Sequence, residues 1–462
     1  MTALWTAEAV AAAAAAQVAG DWVACGVSID TRTLAPGDLF VALEGPNRDG
    51  HAFVADALQR GAAAAVVARV PEGVDDPGVL ALVADTQAAL EGLGRAGRRR
   101  SRARIVGITG SVGKTGTKEA LRHVLSRQAP THASAASHNN HWGVPLSLAR
   151  LPEAASYGVF EMGMNHAGEI RALAAQVRPH VALITTIGPA HLENFGSVAE
   201  IADAKSEIFS GLEPDGIAIV NRDSEHFDRM RAQAARSRAG RIVTFGRHPA
   251  ADWRLAELRA EAEYSDVEVL HGRRRLVYRL GVPGEHVAMN SLAVLAATEA
   301  VGADVGGAAA ALADLRAPAG RGERRRIALP DGCATLLDES YNANPASMHA
   351  ALAVLGRSTG RRIAVLGDML ELGPSSSDLH AGLAAPVETA GVDLVFTCGP
   401  QMQHLHDALP AGRRGCHAAD SAALAPALLK ALRPGDAVLV KGSLGSRMAR
   451  VVTALLEAGP AR

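Results

Sequence analysis

Lysine is almost missing from this 462-residue chain. Of 47 basic residues only five are lysine: Lys114, Lys118, Lys205, Lys430 and Lys441. An ammonium is compact and can give up its proton, whereas a guanidinium is planar and stays charged. A chain this biased toward arginine is expected to keep lysine mainly where arginine fails. Lys118 and Lys430 read as surface residues. Cysteine is scarce too. Cys25, Cys333, Cys398 and Cys416 show neither disulfide nor metal spacing, which fits a reducing cytoplasm. Net charge is also absent, at -1, so no global field favours nucleic acid or an anionic membrane. No apolar run approaches the ~20 residues of a membrane span, so no membrane insertion is expected. The alanines of 11–16 lie between Glu8 and Asp21 and read as a small-residue helix, not a signal peptide.

What is present is alternation. At 462 residues the length suggests roughly three domains of about 150 residues each. Residues 1–85 carry β-rich runs at 23–29, 39–42 and 64–67 among alanine-rich helices. Residues 86–100 read as helix, and the arginines of 95–104 that follow as a solvated connector. From 86 to 315, runs at 105–109, 158–161, 181–186, 217–220 and 242–245 alternate with helical stretches, and 267–279 looks like an added hairpin. Residues 316–462 repeat the pattern, at 335–337, 363–366, 394–397 and 437–440. Such spacing predicts βαβ units and mostly parallel sheets in an α/β protein. Polar residues recur where the runs stop, among them Thr109, Glu161, Thr186, Asn221, Asp338, Asp368 and Lys441. Open parallel sheets bind ligands at that edge. Two such sheets predict a cleft between them.

The strongest motif runs from Gly107 to Thr115. Glycines let backbone N–H groups turn inward around phosphate oxygens, and the helix that follows favours anions at its N-terminus. Lys114 would reach the β- and γ-phosphates, and the Thr115 hydroxyl a Mg²⁺ ion. The strict pattern wants glycine at Ile108; Gly107 and Gly110 flank it instead. Glu161, in a segment running to Ile170, and His191, between Gly188 and Asn194, each stand at a strand end. A carboxylate and a neutral imidazole beside a phosphate loop form a candidate metal pair.

These residues resemble the Mur ligases of peptidoglycan synthesis over almost the whole length. The resemblance rests on the loop Thr109–Thr115, the Glu161 and His191 segments, and Ile201-Ala-Asp-Ala-Lys-Ser-Glu-Ile-Phe209. Ser28-Ile-Asp-Thr-Arg32 and Asp49-Gly-His51 resemble the N-terminal domain that binds a UDP-sugar. Gly284-Glu-His286 with Asn290 resembles the adenine-side motif, and Gly320-Arg321 the arginine at the third domain's entrance. Asn139-Asn-His-Trp-Gly-Val-Pro-Leu146, Asp338-Glu-Ser-Tyr-Asn-Ala-Asn-Pro-Ala-Ser347 and Leu366-Gly-Asp-Met-Leu-Glu-Leu-Gly373 resemble the family's D-alanyl-D-alanine-adding type.

The resemblance implies a central phosphate-loop domain with a mononucleotide-binding parallel sheet, and a Rossmann-like C-terminal domain. It implies a monomeric ATP-dependent amide ligase whose substrates are UDP-N-acetylmuramoyl-tripeptide and D-alanyl-D-alanine. ATP would meet Thr109, Gly110, Ser111, Val112, Gly113, Lys114, Thr115 and Gly116, with Asn290, Arg321 and Asp338. The UDP-sugar peptide would meet Ser28, Arg32, Asp49, Gly50, His51, Asn139 and Asn140, and the dipeptide Asn342 and Asn344. Mg²⁺ would be held by Thr115, Glu161, His191 and Lys205, the last carbamylated by CO₂. Lys114, Lys205 and His191 would be the catalytic groups. Carbamylation needs an unprotonated amine, which arginine cannot supply.

Overall fold

The computed structural model describes residues 3–135, 137–189 and 193–458. Three α/β domains follow one another, each built on its own main sheet. The N-terminal sheet has the order Gln17–Val18, Leu80–Leu82, Ala64–Val67, Asp38–Val41, Gly26–Ser28, parallel except at its first pair. The expected run at 23–29 is broken at Cys25, whose N–H turns away to Gly37 O.

The central sheet has nine strands. Parallel pairing runs from Thr131–Ala133 through Tyr157–Glu161, Arg104–Thr109, Val181–Ile184, Gly216–Asn221 and Ala239–Gly246 to Trp253–Ala260. Ser265–His271 and Arg274–Leu280 then add the expected hairpin in antiparallel fashion. The strand Arg104–Thr109 shows why a continuous apolar run suits this position. Val106 and Ile108 enter the core on one face of the sheet and Ile105 the core on the other. Strands covered on both faces lose the polar alternation of a half-exposed strand.

The C-terminal sheet has the order Glu323–Leu329, Gly332–Glu339, Ala437–Lys441, Arg362–Gly367, Leu394–Cys398, Arg414–Ala418. All its pairs are parallel except the first. The carboxyl ends of the central and C-terminal sheets face a shared cavity.

The helix Thr86–Arg100 joins the first two domains. Its glycines permit backbone contact on both sides: a Cβ at Gly92 would lie 2.2 Å from Ala13 O, and one at Gly97 2.3 Å from Leu148 O. Glycine inside a helix costs about 0.5–1 kcal/mol relative to alanine, offset here by close packing. Of the arginine run, Arg95, Arg99, Arg102 and Arg104 are exposed as expected, but Arg98 and Arg100 are not. Arg98 is buried and donates to Val177 O, Arg178 O and Glu213, and Arg100 donates to Leu4 O while covering Trp5. Burial lowers the pKa of both, against the pull of a nearby glutamate. No described helix is long and apolar enough to cross a membrane.

Candidate active site

The strand Arg104–Thr109 ends in a turn at Gly110 and Gly113, whose φ angles are +149° and +87°. Side chains are disfavoured at such angles. A Cβ at Gly110 would also fall 2.0 Å from Thr185 Oγ1. Ile108 therefore does not need to be glycine: it is still strand and core, and the turn begins two residues later. The next strand pins the loop. Thr185 Oγ1 donates to Val112 O (2.6 Å), Ser111 N to Thr186 O (2.8 Å) and Ser111 Oγ to Gly188 O (2.9 Å). The helix Lys114–Ser126 then starts with no side chain capping it. Its first-turn amides have no intrahelical acceptor and face the cavity as an anion cradle.

Lys114 reaches back to donate to Gly110 O at 2.7 Å. Burial, and secondarily Arg321, lower its pKa, while Glu161 pulls the other way. Thr115 Oγ1 donates to Glu161 Oε2 (2.8 Å), and Asn139 Nδ2 to Glu161 Oε1 (2.7 Å). Glu161 is buried at its strand end. Ser137 Oγ lies 3.4 Å from Thr115 Oγ1 and accepts from Arg321 at 3.0 Å. Arg321 in turn stacks over Tyr341. One polar chain thus runs from the phosphate loop to the entrance of the third domain.

Lys205, near the end of the helix Val198–Ser206, is only 1% exposed. Among the described residues its ammonium has no hydrogen-bond or ion-pair partner. Burial drives its pKa far down, and the positive charge of Lys114 lowers it further. His191 lies outside the described residues. Lys118, expected at the surface, is fully buried: it donates to Ser134 O and pairs with Glu119 at 3.0 Å. It faces inward because its helix packs on the sheet, which its polar neighbours in sequence conceal.

The cavity holds about 990 Å³ and lies between the central and C-terminal domains. Its walls carry Ser111 to Gly116, Asn139, Asn140, Glu161, Asn290 and Arg321, with Asn342 and Asn344 opposite. Asn290 is close beneath the loop: a Cβ at Gly113 would come 2.5 Å from its amide nitrogen. Two expected contacts are partly committed elsewhere. Asn344 Oδ1 caps the helix Pro345–Leu355 by accepting from Ser347 N, which leaves its amide NH₂ for a ligand. Asp338 does not line the cavity; its Oδ1 accepts from Ser340 N and Oγ. Lys441 does line it, paired with Glu339 at 3.3 Å and donating to Asn342 O at 2.9 Å.

The N-terminal candidates form a separate group. His51 Nε2 accepts from Ala68 N, so its proton sits on Nδ1 and is shared with Asp49. Arg69 binds both Asp49 and Glu44, which neutralises this convergence of acids and argues against a metal there. Gly50 N donates to Leu43 O, and a Cβ at Gly50 would strike that backbone. Ser28 is buried with its hydroxyl on Asp30 O, and exposed Arg32 grips Asp30. The helix Thr86–Arg100 links this group to the cavity, through Gln87 Nε2 donating to His141 O.

Ser137 and Thr185 carry no site expectation from sequence, and Tyr341 carries one only as part of the Asp338–Ser347 motif. Thr185 could have carried one, since it stands beside Thr186 where an apolar run stops. Ser137 had no signal, because its loop reaches the site only through the fold.

Family models of Mur ligases match three segments: the Mur ligase family catalytic domain at 24–90, the Mur ligase middle domain at 108–298 and the Mur ligase glutamate ligase domain at 320–444. The chain belongs to the Mur ligase family. Among curated relatives, the UDP-N-acetylmuramoyl-tripeptide--D-alanyl-D-alanine ligase of Escherichia coli is 38% identical over 94% of both chains. A crystal structure of MurF from Acinetobacter baumannii superposes with a TM-score of 0.84 at 31% identity, over 98% of this chain and 99% of that one. MurF ligase from Thermotoga maritima, solved in complex with ADP, gives 0.76 at 27% identity over 94% and 97%.

Proposed function

We propose that this chain joins D-alanyl-D-alanine to the terminal carboxyl of UDP-N-acetylmuramoyl-tripeptide, using ATP and an acyl phosphate, to make a peptidoglycan precursor. One observation carries the reading: an anion cradle on the central domain faces an amide-rich loop on the C-terminal domain across a single cavity. The relatives named for this reaction align over nearly the full chain.

The carboxylate oxygen of the tripeptide attacks the γ-phosphorus of ATP, and ADP leaves. The dipeptide amine then attacks the acyl carbon, the C–O bond to phosphate breaks and the amine loses a proton. No nucleophilic side chain is needed. The loop amides and Lys114 hold the phosphates and oppose the charge that spreads over the transferring group. Asn290 and Arg321 flank the nucleotide, and Asp338 supports the loop carrying Tyr341. Asn139 and Asn140 meet the muramoyl peptide, whose nucleotide end lies among Ser28, Arg32, Asp49, Gly50 and His51. Asn342 and the free NH₂ of Asn344 meet the dipeptide.

Thr115, Glu161, His191 and a carbamylated Lys205 would hold Mg²⁺. Hydroxyl and carboxylate oxygens suit this hard cation, and His191 would add one nitrogen. The ion neutralises phosphate charge when bound. Lys205 fits carbamylation for a specific reason. Burial and Lys114 favour its neutral amine, whose lone pair adds to the carbon of CO₂ with loss of one proton. The carbamate would set an anion beside the positive charge of Lys114. We place the domain limits near 85 and 315, and the protein as a monomer in the cytoplasm.

Phosphate release from ATP tests the reaction. It should require tripeptide and dipeptide together. Efficient release with free diaminopimelate or lysine, on a muramoyl-dipeptide acceptor, would assign the chain to another member of the family.

A further inference from the structure

Three adjacent parallel strands of the C-terminal sheet end level with one another. Glu339 registers with Lys441, and Leu366 with Lys441 on the other side. Each strand is followed by a loop: 340–344, 442–446 and 368–372. On the right the middle strand crowds its neighbour. A Cβ at Gly442 would lie 3.1 Å from Gly367 Cα and 2.6 Å from Met448 Cγ.

Ser443 stands in the middle loop and is buried. Its Oγ accepts from Leu370 N at 2.9 Å on one side and donates to Ala343 O at 3.3 Å on the other. Its own N–H donates to Asp368 O at 3.0 Å. A hydroxyl can accept and donate at once, which no apolar side chain of this size can do.

We propose that Ser443 is a positioning residue: its hydroxyl sets the spacing between the Asn342–Asn344 loop and the Asp368–Leu370 loop, and so shapes the seat of the amine substrate. The inference rests on the dipeptide reading given above. Ser443 touches no reacting atom. It acts through the carbonyl of Ala343, which lies between the two asparagines, and through the amide of Leu370. The ATP cradle belongs to the other wall and, among the described residues, shares no hydrogen bond with Ser443.

The test is steady-state kinetics on Ser443→Ala and Ser443→Thr. The alanine variant should raise KM for D-alanyl-D-alanine about three- to ten-fold, the range expected for losing one or two neutral hydrogen bonds. KM for ATP should stay unchanged. Threonine keeps the hydroxyl and should restore much of the dipeptide KM. Equal shifts in both KM values, or none, would overturn the proposal. Hydrogen exchange gives a second measurement that needs no turnover. The Leu370 amide should exchange faster in Ser443→Ala while amides of the phosphate-loop strand do not, and an unchanged Leu370 rate would also overturn it. If the unaltered enzyme ignores D-alanyl-D-alanine but accepts another amine, the substrate reading fails instead, and KM for that other amine then decides whether Ser443 seats it.

Discussion

The two sides of the cavity bury lysine in different ways. On the C-terminal wall Lys441 has a carboxylate, Glu339, and a carbonyl, Asn342 O. On the central side Lys114 donates to the Gly110 carbonyl while the buried Glu161 pulls its pKa up, and Lys205, which does not line the cavity, has no hydrogen-bond or ion-pair partner among the described residues. Burying a charge without an opposite one costs several kcal/mol. A buried amine without an opposite charge sheds its proton instead, the direction in which burial drives Lys205. Lys441 clamps a loop, while neither Lys114 nor Lys205 makes a direct ion pair among the described residues.

The contrast can be broken most directly at Lys114 and Lys205. Lys114→Ala should lower turnover by about 3–4 kcal/mol of transition-state stabilisation, a loss of roughly 10²–10³-fold. Its circular dichroism should be unchanged, because Thr185 and Ser111 hold the loop's backbone independently of this side chain. Lys205→Arg should lose activity on a similar scale, since arginine keeps a charge but cannot be carbamylated; carbon-13 NMR with labelled bicarbonate should show a carbamate signal in the unaltered protein and none in this variant. Normal turnover in either would remove the basis of the comparison.

Lys441→Met probes the opposite wall. It should cost about 1–3 kcal/mol of stability, the loss attached to leaving a partly buried polar group unsatisfied, read from denaturant unfolding. The dipeptide KM should rise more than the ATP KM. A fully stable Lys441→Met enzyme with no phosphoryl transfer would show that the two lysines serve alike. Asn344→Ala sharpens the same point on a smaller scale. Loss of the cap should cost about 1 kcal/mol, together with weaker use of the dipeptide.

The last effect concerns acid and lies outside the cavity. His180 Nδ1 accepts the Ile105 amide, so the ring is neutral in the fold, and burial, with Arg104 next in effect, lowers its pKa to about 4. The unfolded chain protonates this ring near 6.5, its ordinary value. Between those two values the unfolded state binds the extra proton, so stability falls as pH falls. It is complete above about 6.5 and the loss levels off below about 4. Melting temperature measured across that window should fall less in His180→Asn than in the unaltered protein. An equal slope in both would exclude His180 as a source of acid sensitivity.

Much of this was legible before folding was considered. The phosphate loop could be read because its chemistry is local: glycine angles, one lysine and one hydroxyl within a few residues. Buried parallel strands could be read because both of their faces are apolar. The strand Glu323–Leu329 was missed, since its exposed arginines hide an edge strand. So was Trp253–Ala260, the strand that turns the sheet from parallel to antiparallel, where apolar and charged residues mix. Lys118, Arg98 and Arg100 were misplaced at the surface, because a charged side chain looks solvated until its carbonyl partners come from segments far away.

The sequence by itself determined the three α/β units, the phosphate loop and the kinds of group available to it, because these depend on short-range backbone preference and on side-chain chemistry. Only the tertiary structure decided which lysines lack partners and which do not. It also decided that Ser137 joins Arg321 to Thr115, and that Asn344 spends its carbonyl on a helix cap. Those outcomes depend on desolvation and on distances of about 3 Å between residues up to 184 positions apart, and no local pattern carries that information.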